Sequence, residues 1–331
     1  MTVVSLPAGW AIQPVTPGLD HGWVASLHLV FAAHLPYGSR FVFTYGPLGF
    51  LTTSGLYTRG TAIAALAYAL AVDWLLAIVV LRALDRAVGR LVSTLAAYAA
   101  VSASLLIVLI AGLGLAELGL LLLVAAAIEV WTVDAGPGRM GWSEGVPLVG
   151  LGVGAGVLPL VKLSVGVVAL LIGACAIVGV QPARRLRSAA VSLPVALAVF
   201  AAGWFGTGNG TGNMVAYLRT SYSVISGYAQ AMATNDASSL AFVVVALLVA
   251  SVVAAAAPLA RELQVRQRAA LFVAVGLTIL ALLREGYVRE DSGHQAIFGA
   301  GALLLVAILA PRRSPSLRPG SCWSSPYRSP K

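Results

Sequence analysis

Residues 238–258 read SSLAFVVVALLVASVVAAAAP, twenty-one positions without a charged side chain. At 1.5 Å per residue a helix of that length spans about 30 Å, the thickness of a bilayer's hydrocarbon core. Eight further apolar runs lie between Arg-, Pro- and Gly-containing breaks. They fall at approximately 61–81, 92–111, 114–131, 146–160, 163–180, 188–205, 269–283 and 296–310, with soft boundaries for the short runs at 146, 269 and 296. The reading is an all-α protein: a polytopic transmembrane helix bundle of about nine spans, with interfacial helices in its outward loops. Residues 1–60 form an outward N-terminal segment, 61–310 the bundle, and 311–331 a disordered basic tail. The turns at 111–114 and 160–163 are tight, and the first of them joins a helical hairpin.

Composition supports the same class. Of 331 residues 59% are hydrophobic and only 10% charged, against about 25% charged in soluble domains. So few charges cannot cover a water-facing surface, and mean hydropathy is +0.91. The net charge of +9 would suggest nucleic acid in a soluble protein; here it reflects loops that set orientation, and no nucleic-acid partner is expected. Cys175 lies in an apolar run and Cys322 in the tail, so neither a disulfide nor a metal site follows from them. No cofactor motif is present. The preference for arginine over lysine, with abundant alanine, points to a GC-rich bacterium and hence to its plasma membrane.

Charge sets the orientation. With 1–60 outside, fifteen of the 21 basic residues fall on inner loops and the tail, among them Arg82, Arg184, Arg185, Arg187, Arg261, Arg266 and Arg268. Six fall outside: Arg40, Arg59, Lys162, Arg219, Arg284 and Arg289. Arginine-rich inner loops are what the positive-inside rule requires, and the C-terminus is then cytoplasmic. An outward N-terminus without a signal peptide implies a preceding helix upstream of this start. The Ser/Pro-rich end, PRRSPSLRPGSCWSSPYRSPK, reads as a solvated tail or as a frameshifted or truncated end.

Most polar chemistry falls in three outward segments. In 18–60, Trp23, Leu27, Val30 and Phe31 line one side of a helix over 22–35, interrupted by His28 and His34, that lies in the membrane plane. Phe43-Thr44-Tyr45-Gly46-Pro47-Leu48-Gly49-Phe50 then forms a turn whose aromatics suit packing, the interface or a ligand stack. In 206–237, a flexible GTGNGTGN stretch precedes Val215, Leu218, Tyr222, Ile225, Tyr228 and Met232 at helical spacing. Its tyrosines, Tyr217 included, could anchor in headgroups or stack on a sugar. The third segment, 284–294, packs Arg284, Glu285, Arg289, Glu290, Asp291 and His294 between two apolar helices: a solvated loop or a site at the outer mouth. Lys162 sits at the outer turn, where snorkelling or phosphate binding would each explain it. Asp73, Glu117 and Glu129 lie within spans, where ionisable groups are costly and functional by default. A weak Gly/Pro interruption near 152–160 is the one hint of a broken transporter helix.

Pro17-Gly18-Leu19-Asp20, Trp23 and Val42-Phe43-Thr44-Tyr45-Gly46-Pro47-Leu48-Gly49-Phe50-Leu51 resemble a motif of a group of uncharacterised multi-pass bacterial membrane proteins. Arg289-Glu290-Asp291 with His294 resembles that group's second motif. In layout the chain is also similar to the GT-C membrane glycosyltransferases. Those carry an acidic residue in the first outward loop and use polyprenyl-phosphate sugars; Asp20 holds the matching position, with no paired acidic residue after it. The resemblance implies Asp20 as general base on the acceptor hydroxyl, with Asp291 as a catalytic residue that orients groups nearby. Arg284, Arg289, Arg40 and Lys162 would hold the donor phosphate, and His294 and Tyr45 would orient substrate. The partner implied is a membrane lipid, a polyprenyl-phosphate-linked sugar. A transporter or flippase for an anionic lipid or solute, and a non-catalytic fragment of a longer enzyme, are the alternatives.

Overall fold

The computed structural model describes residues 19–53, 57–88, 114–133, 141–232, 239–287 and 292–310. Within these, the side chains of 19–21, 85–88, 228–232, 239–240 and 292 are not described. The described residues form ten α-helices and no strand: α1 (Leu19–Ala32), α2 (Arg59–Val88), α3 (Leu115–Thr132), α4 (Trp142–Val161), α5 (Leu163–Gly179), α6 (Pro182–Gly206), α7 (Thr211–Met232), α8 (Ser239–Glu262), α9 (Val265–Tyr287) and α10 (Ser292–Ile308).

Six of these, α2, α3, α4, α6, α8 and α9, are long and apolar enough to cross a membrane. α5 and α10 coincide with two more of the apolar runs, but each has 17 residues, just short of a comfortable span. The run at 92–111 lies outside the described residues. The multi-pass architecture therefore stands on six helices, and the expected count of about nine is not reached among the described residues.

α3 is the hub. Leu118, Leu120, Leu121 and Val124 are almost fully buried, and α2, α4, α5, α9 and α10 all pack around it. α6 and α8 behave in the opposite way. Their apolar side chains, among them Leu193, Leu197, Phe242 and Leu247, face outward. Apolar surface on that scale marks lipid as the surrounding medium.

The tightest helix pair is α4 with α6. A Cβ on Gly152 would sit 2.6 Å from the Ser192 carbonyl oxygen, and one on Gly156 2.6 Å from that of Ala196. Small residues four apart let two backbones touch where no hydrophobic effect operates between helices. α4 runs unbroken through Pro147 and Pro159. The Gly/Pro content near 152–160 is thus a packing device in a continuous helix.

Contacts also sort the helix ends. The start of α3, the end of α4, the start of α5 and the end of α9 meet through Glu117, Lys162 and Glu285. At the far end, Arg184 of α6 bonds Glu144 at the start of α4 and the Val133 carbonyl after α3. Gln267 near the start of α9 donates to the Trp131 carbonyl. Arg185 donates to the carbonyls of Val178 and Val180 at the end of α5, and Arg268 to that of Ala260 at the end of α8. These arginines meet helix C-termini, where unpaired carbonyls and the negative dipole end favour a cation.

Replacing Gly152 with isoleucine should force α4 from α6 and cost about 1–3 kcal/mol or more. Thermal unfolding in detergent measures this, and an unchanged midpoint would refute the close-packing account.

Candidate functional site

The break between α4 and α5 is one residue long. Lys162 adopts an extended backbone, φ −149° and ψ 113°, between the two helices. Such a break leaves carbonyls at the end of α4 and amides at the start of α5 without helical partners. The turn at 43–50 supplies them. Gly46 N–H donates to the Val161 carbonyl at 3.0 Å and Leu48 N–H to that of Leu160 at 2.8 Å, while Leu163 N–H donates to Thr44 at 3.3 Å. Tyr45 and Lys162 pair as an antiparallel bridge. Gly46 is required here: a Cβ would run into the Leu160 carbonyl and the Tyr217 hydroxyl.

The Lys162 ammonium lies at the centre. It donates to Glu117 Oε1 at 2.9 Å and Glu285 Oε2 at 2.6 Å, and it sits 5.2 Å from the Tyr45 ring centroid. Its side chain is 9% exposed, and those of the two glutamates 3% and 16%. Burial lowers the Lys162 pKa, but the neighbouring Glu117 and Glu285 carboxylates outweigh it and hold it well above an ordinary lysine's. This is an internal ion cluster, and Lys162 does not snorkel to water.

Around it, Tyr45 stacks on Trp23 (centroids 5.2 Å apart) and on Phe43 (5.8 Å). On the buried side of α1, His28 hydrogen-bonds Thr61 through Nδ1 at 2.8 Å and Thr53 through Nε2 at 3.1 Å. Leu27 and Val30 are buried beside it. α7 seats itself through Tyr217, whose hydroxyl donates to the Pro159 carbonyl at 3.1 Å, and through the buried Ser221. Its apolar stripe of Val215, Leu218 and Tyr222 faces outward. Tyr217, edge-on to Tyr37 and tilted against Trp204, is core and leaves no face for a sugar.

Of the residues singled out from the sequence, Tyr45, Lys162, Arg284 and His294 gather at this end of the bundle. Arg284 is exposed and donates to the Ile225 carbonyl at 2.8 Å; His294 is buried. Arg40 is exposed on the turn after Tyr37. Asp20 lies in the first turn of α1, its side chain outside the described residues, as are Arg289 and Asp291 altogether. Asp73 is half-buried on α2 beside the exposed Trp74. The sequence reading missed Glu285 as an internal charge and the pairing of Glu117 with Lys162. The available signal was a lone outward lysine with a glutamate near the outer end of a neighbouring span. Among the described residues no three His, Cys, Asp or Glu side chains come together to hold a metal.

Two outcomes follow. Lys162→Ala leaves two carboxylates buried without their cation and should cost about 3–5 kcal/mol; Lys162→Met combined with Glu117→Gln and Glu285→Gln should recover much of it. Unfolding in detergent tests both, and a harmless single substitution would refute the cluster's structural role. Burial lowers the His28 pKa below its ordinary 6.5. The unfolded chain therefore takes up the proton first, so this contribution to stability is complete above pH 6.5 and declines below it, down to the folded pKa. His28→Asn, which cannot ionise, should flatten the fall in melting midpoint between about pH 7 and 5; an identical slope would exclude His28 as its source.

No protein-family model, curated protein or solved structure matches this chain.

Proposed function

We propose that this chain is a multi-pass plasma-membrane protein of GT-C-like layout, which transfers a glycosyl group from a polyprenyl-phosphate sugar at the outer face. One chain of contacts carries the reading. Asp20 lies one turn before Trp23, which stacks on Tyr45; Tyr45 lies under Lys162; and Lys162 bonds Glu285, the neighbour of Arg284. The turn at 43–50 and the end of α9, which leads into the second motif, thus share one buried scaffold, and this supports the reading.

The arginine-rich end of the bundle, with Arg184, Arg185 and Arg268, is cytoplasmic by the positive-inside rule, and the Lys162 end faces outward. In this reading the Asp20 carboxylate takes the proton of the acceptor hydroxyl as its oxygen attacks the anomeric carbon. The bond from that carbon to the polyprenyl phosphate breaks, and the phosphate leaves with the electron pair. Guanidinium forks suit its charge, and Arg40, Arg284 and Arg289 are assigned that task. Asp291 and His294 orient groups nearby. Lys162, already paired with two carboxylates, holds the floor of the site by fixing Tyr45.

A second reading, a carrier of an anionic lipid or solute, is favoured by the same cluster. Charged groups buried where transmembrane helices meet mark transport pathways in many membrane proteins.

Asp20→Asn should reduce transfer from a lipid-linked sugar by about 100-fold or more while expression and melting midpoint stay unchanged; full activity would remove Asp20 as the base. The carrier reading instead requires substrate movement in proteoliposomes that survives Asp20→Asn and is lost in Asp73→Asn.

A further inference from the structure

Among the described residues, Asp73 is the charged side chain nearest the middle of a spanning helix. It lies 14 residues after Arg59 and 15 before Val88 in α2, about 20 Å from either end. It has no hydrogen bond or ion pair among the described residues. A charged group at that depth is costly in lipid, and such groups pair, line a water-filled cavity or face a bundle interior. Asp73 is only half-buried, and the next residues, Trp74 and Leu75, are 57% and 51% exposed.

The chain's own cations do not meet it. Arg82, the next cation along α2, is nine residues on, about 2.5 turns away. Lys162 is held by Glu117 and Glu285. The remaining described arginines lie in loops, in α7 or within the first or last two turns of their helices. A second copy would therefore bring another carboxylate to this depth and no cation.

α2 buries one face, Ala69, Val72, Leu76 and Val80, against the bundle, where α3 and α10 are its main helical neighbours. Beside that face runs a half-buried stripe of Leu66, Leu70, Asp73, Ala77 and Leu81, at the spacing that aligns residues on one side of a helix. The stripe is apolar except for its one carboxylate. Ala77, one turn from Asp73, leaves room for a second backbone to approach.

We propose that this flank of α2 docks a transmembrane helix of another protein that carries a lysine or arginine at mid-depth, paired with Asp73. Charge complementarity selects the partner, because the apolar stripe alone would fit any helix or lipid tail. The docking does not depend on glycosyl transfer. A carrier would give Asp73 a solute in place of a helix, and the measurement contains none.

The probe is a labelled synthetic peptide, a Leu/Ala helix of about 20 residues with one central lysine. Its association with the full chain is followed by Förster transfer in phosphatidylcholine vesicles. It should bind about fivefold tighter than the same peptide with a central leucine. Asp73→Leu should remove that preference with an unchanged or higher melting midpoint. Asp73→Lys should transfer the preference to a peptide with a central glutamate. Ala77→Phe keeps the charge, crowds the stripe and should weaken binding of the lysine peptide. Equal binding of the lysine and leucine peptides, or a preference that survives Asp73→Leu, overturns the proposal. So does a lower melting midpoint in Asp73→Leu, which would place the carboxylate's partner inside the chain. Self-association lost in Asp73→Leu would make the partner a second copy and overturn it too. Should Asp73→Lys fail to fold, Asp73→Leu decides alone.

Discussion

Inside a bilayer a main-chain amide or carbonyl has no water to turn to, so a helix break there needs partners from the protein itself. The one-residue break at Lys162, between two apolar helices, meets the same need and governs that whole end of the bundle. The carbonyls of Leu160 and Val161 and the amide of Leu163 all find their partners in residues 44–48. That requirement draws the first loop down onto the bundle and excludes a side chain at Gly46. It sets Tyr45 over the ammonium that Glu117 and Glu285 hold. The aromatic stack, α1 and the seat of α7 follow from the same docking.

The two ends of the bundle handle charge differently. At the arginine-rich end, guanidinium groups reach helix C-terminal carbonyls and stay partly exposed, so each is solvated from one side. At the other end Lys162 is enclosed, and carboxylates from two other helices replace its water. Arginine's fork suits the first arrangement and lysine's compact ammonium the second.

Helix positions were legible in the sequence because an apolar run of membrane length has few other readings. The ends were less so. α4 begins at Trp142 and not near 146, since Glu144 is buried with Arg184 and polar residues therefore continue the helix. α9 extends to Tyr287, which carries Glu285 out of the loop assigned to it and into the bundle. Periodicity reports which face of a helix is apolar. It does not report which helix, 45 or 123 residues away, supplies a partner for Lys162. Val215, Leu218 and Tyr222 of α7 form an outward apolar stripe, but Ile225 packs inward, and Tyr217 and Ser221 on another face seat the helix. The acidic and basic groups of the 284–294 motif were visible as types, and only Arg284, Glu285 and His294 among them have described surroundings.

The sequence separation within the ion cluster bears on how the chain is made. Synthesis delivers Glu117 first and Lys162 next, and Glu285 follows after a further 123 residues. For that interval the lysine has one carboxylate and the turn at 44–48 a half-built floor. α9 therefore acts as a latch: its arrival supplies the last charge and locks a first loop synthesised long before. A ribosome stalled between α8 and α9 would leave the Lys162 end of the bundle without its second carboxylate.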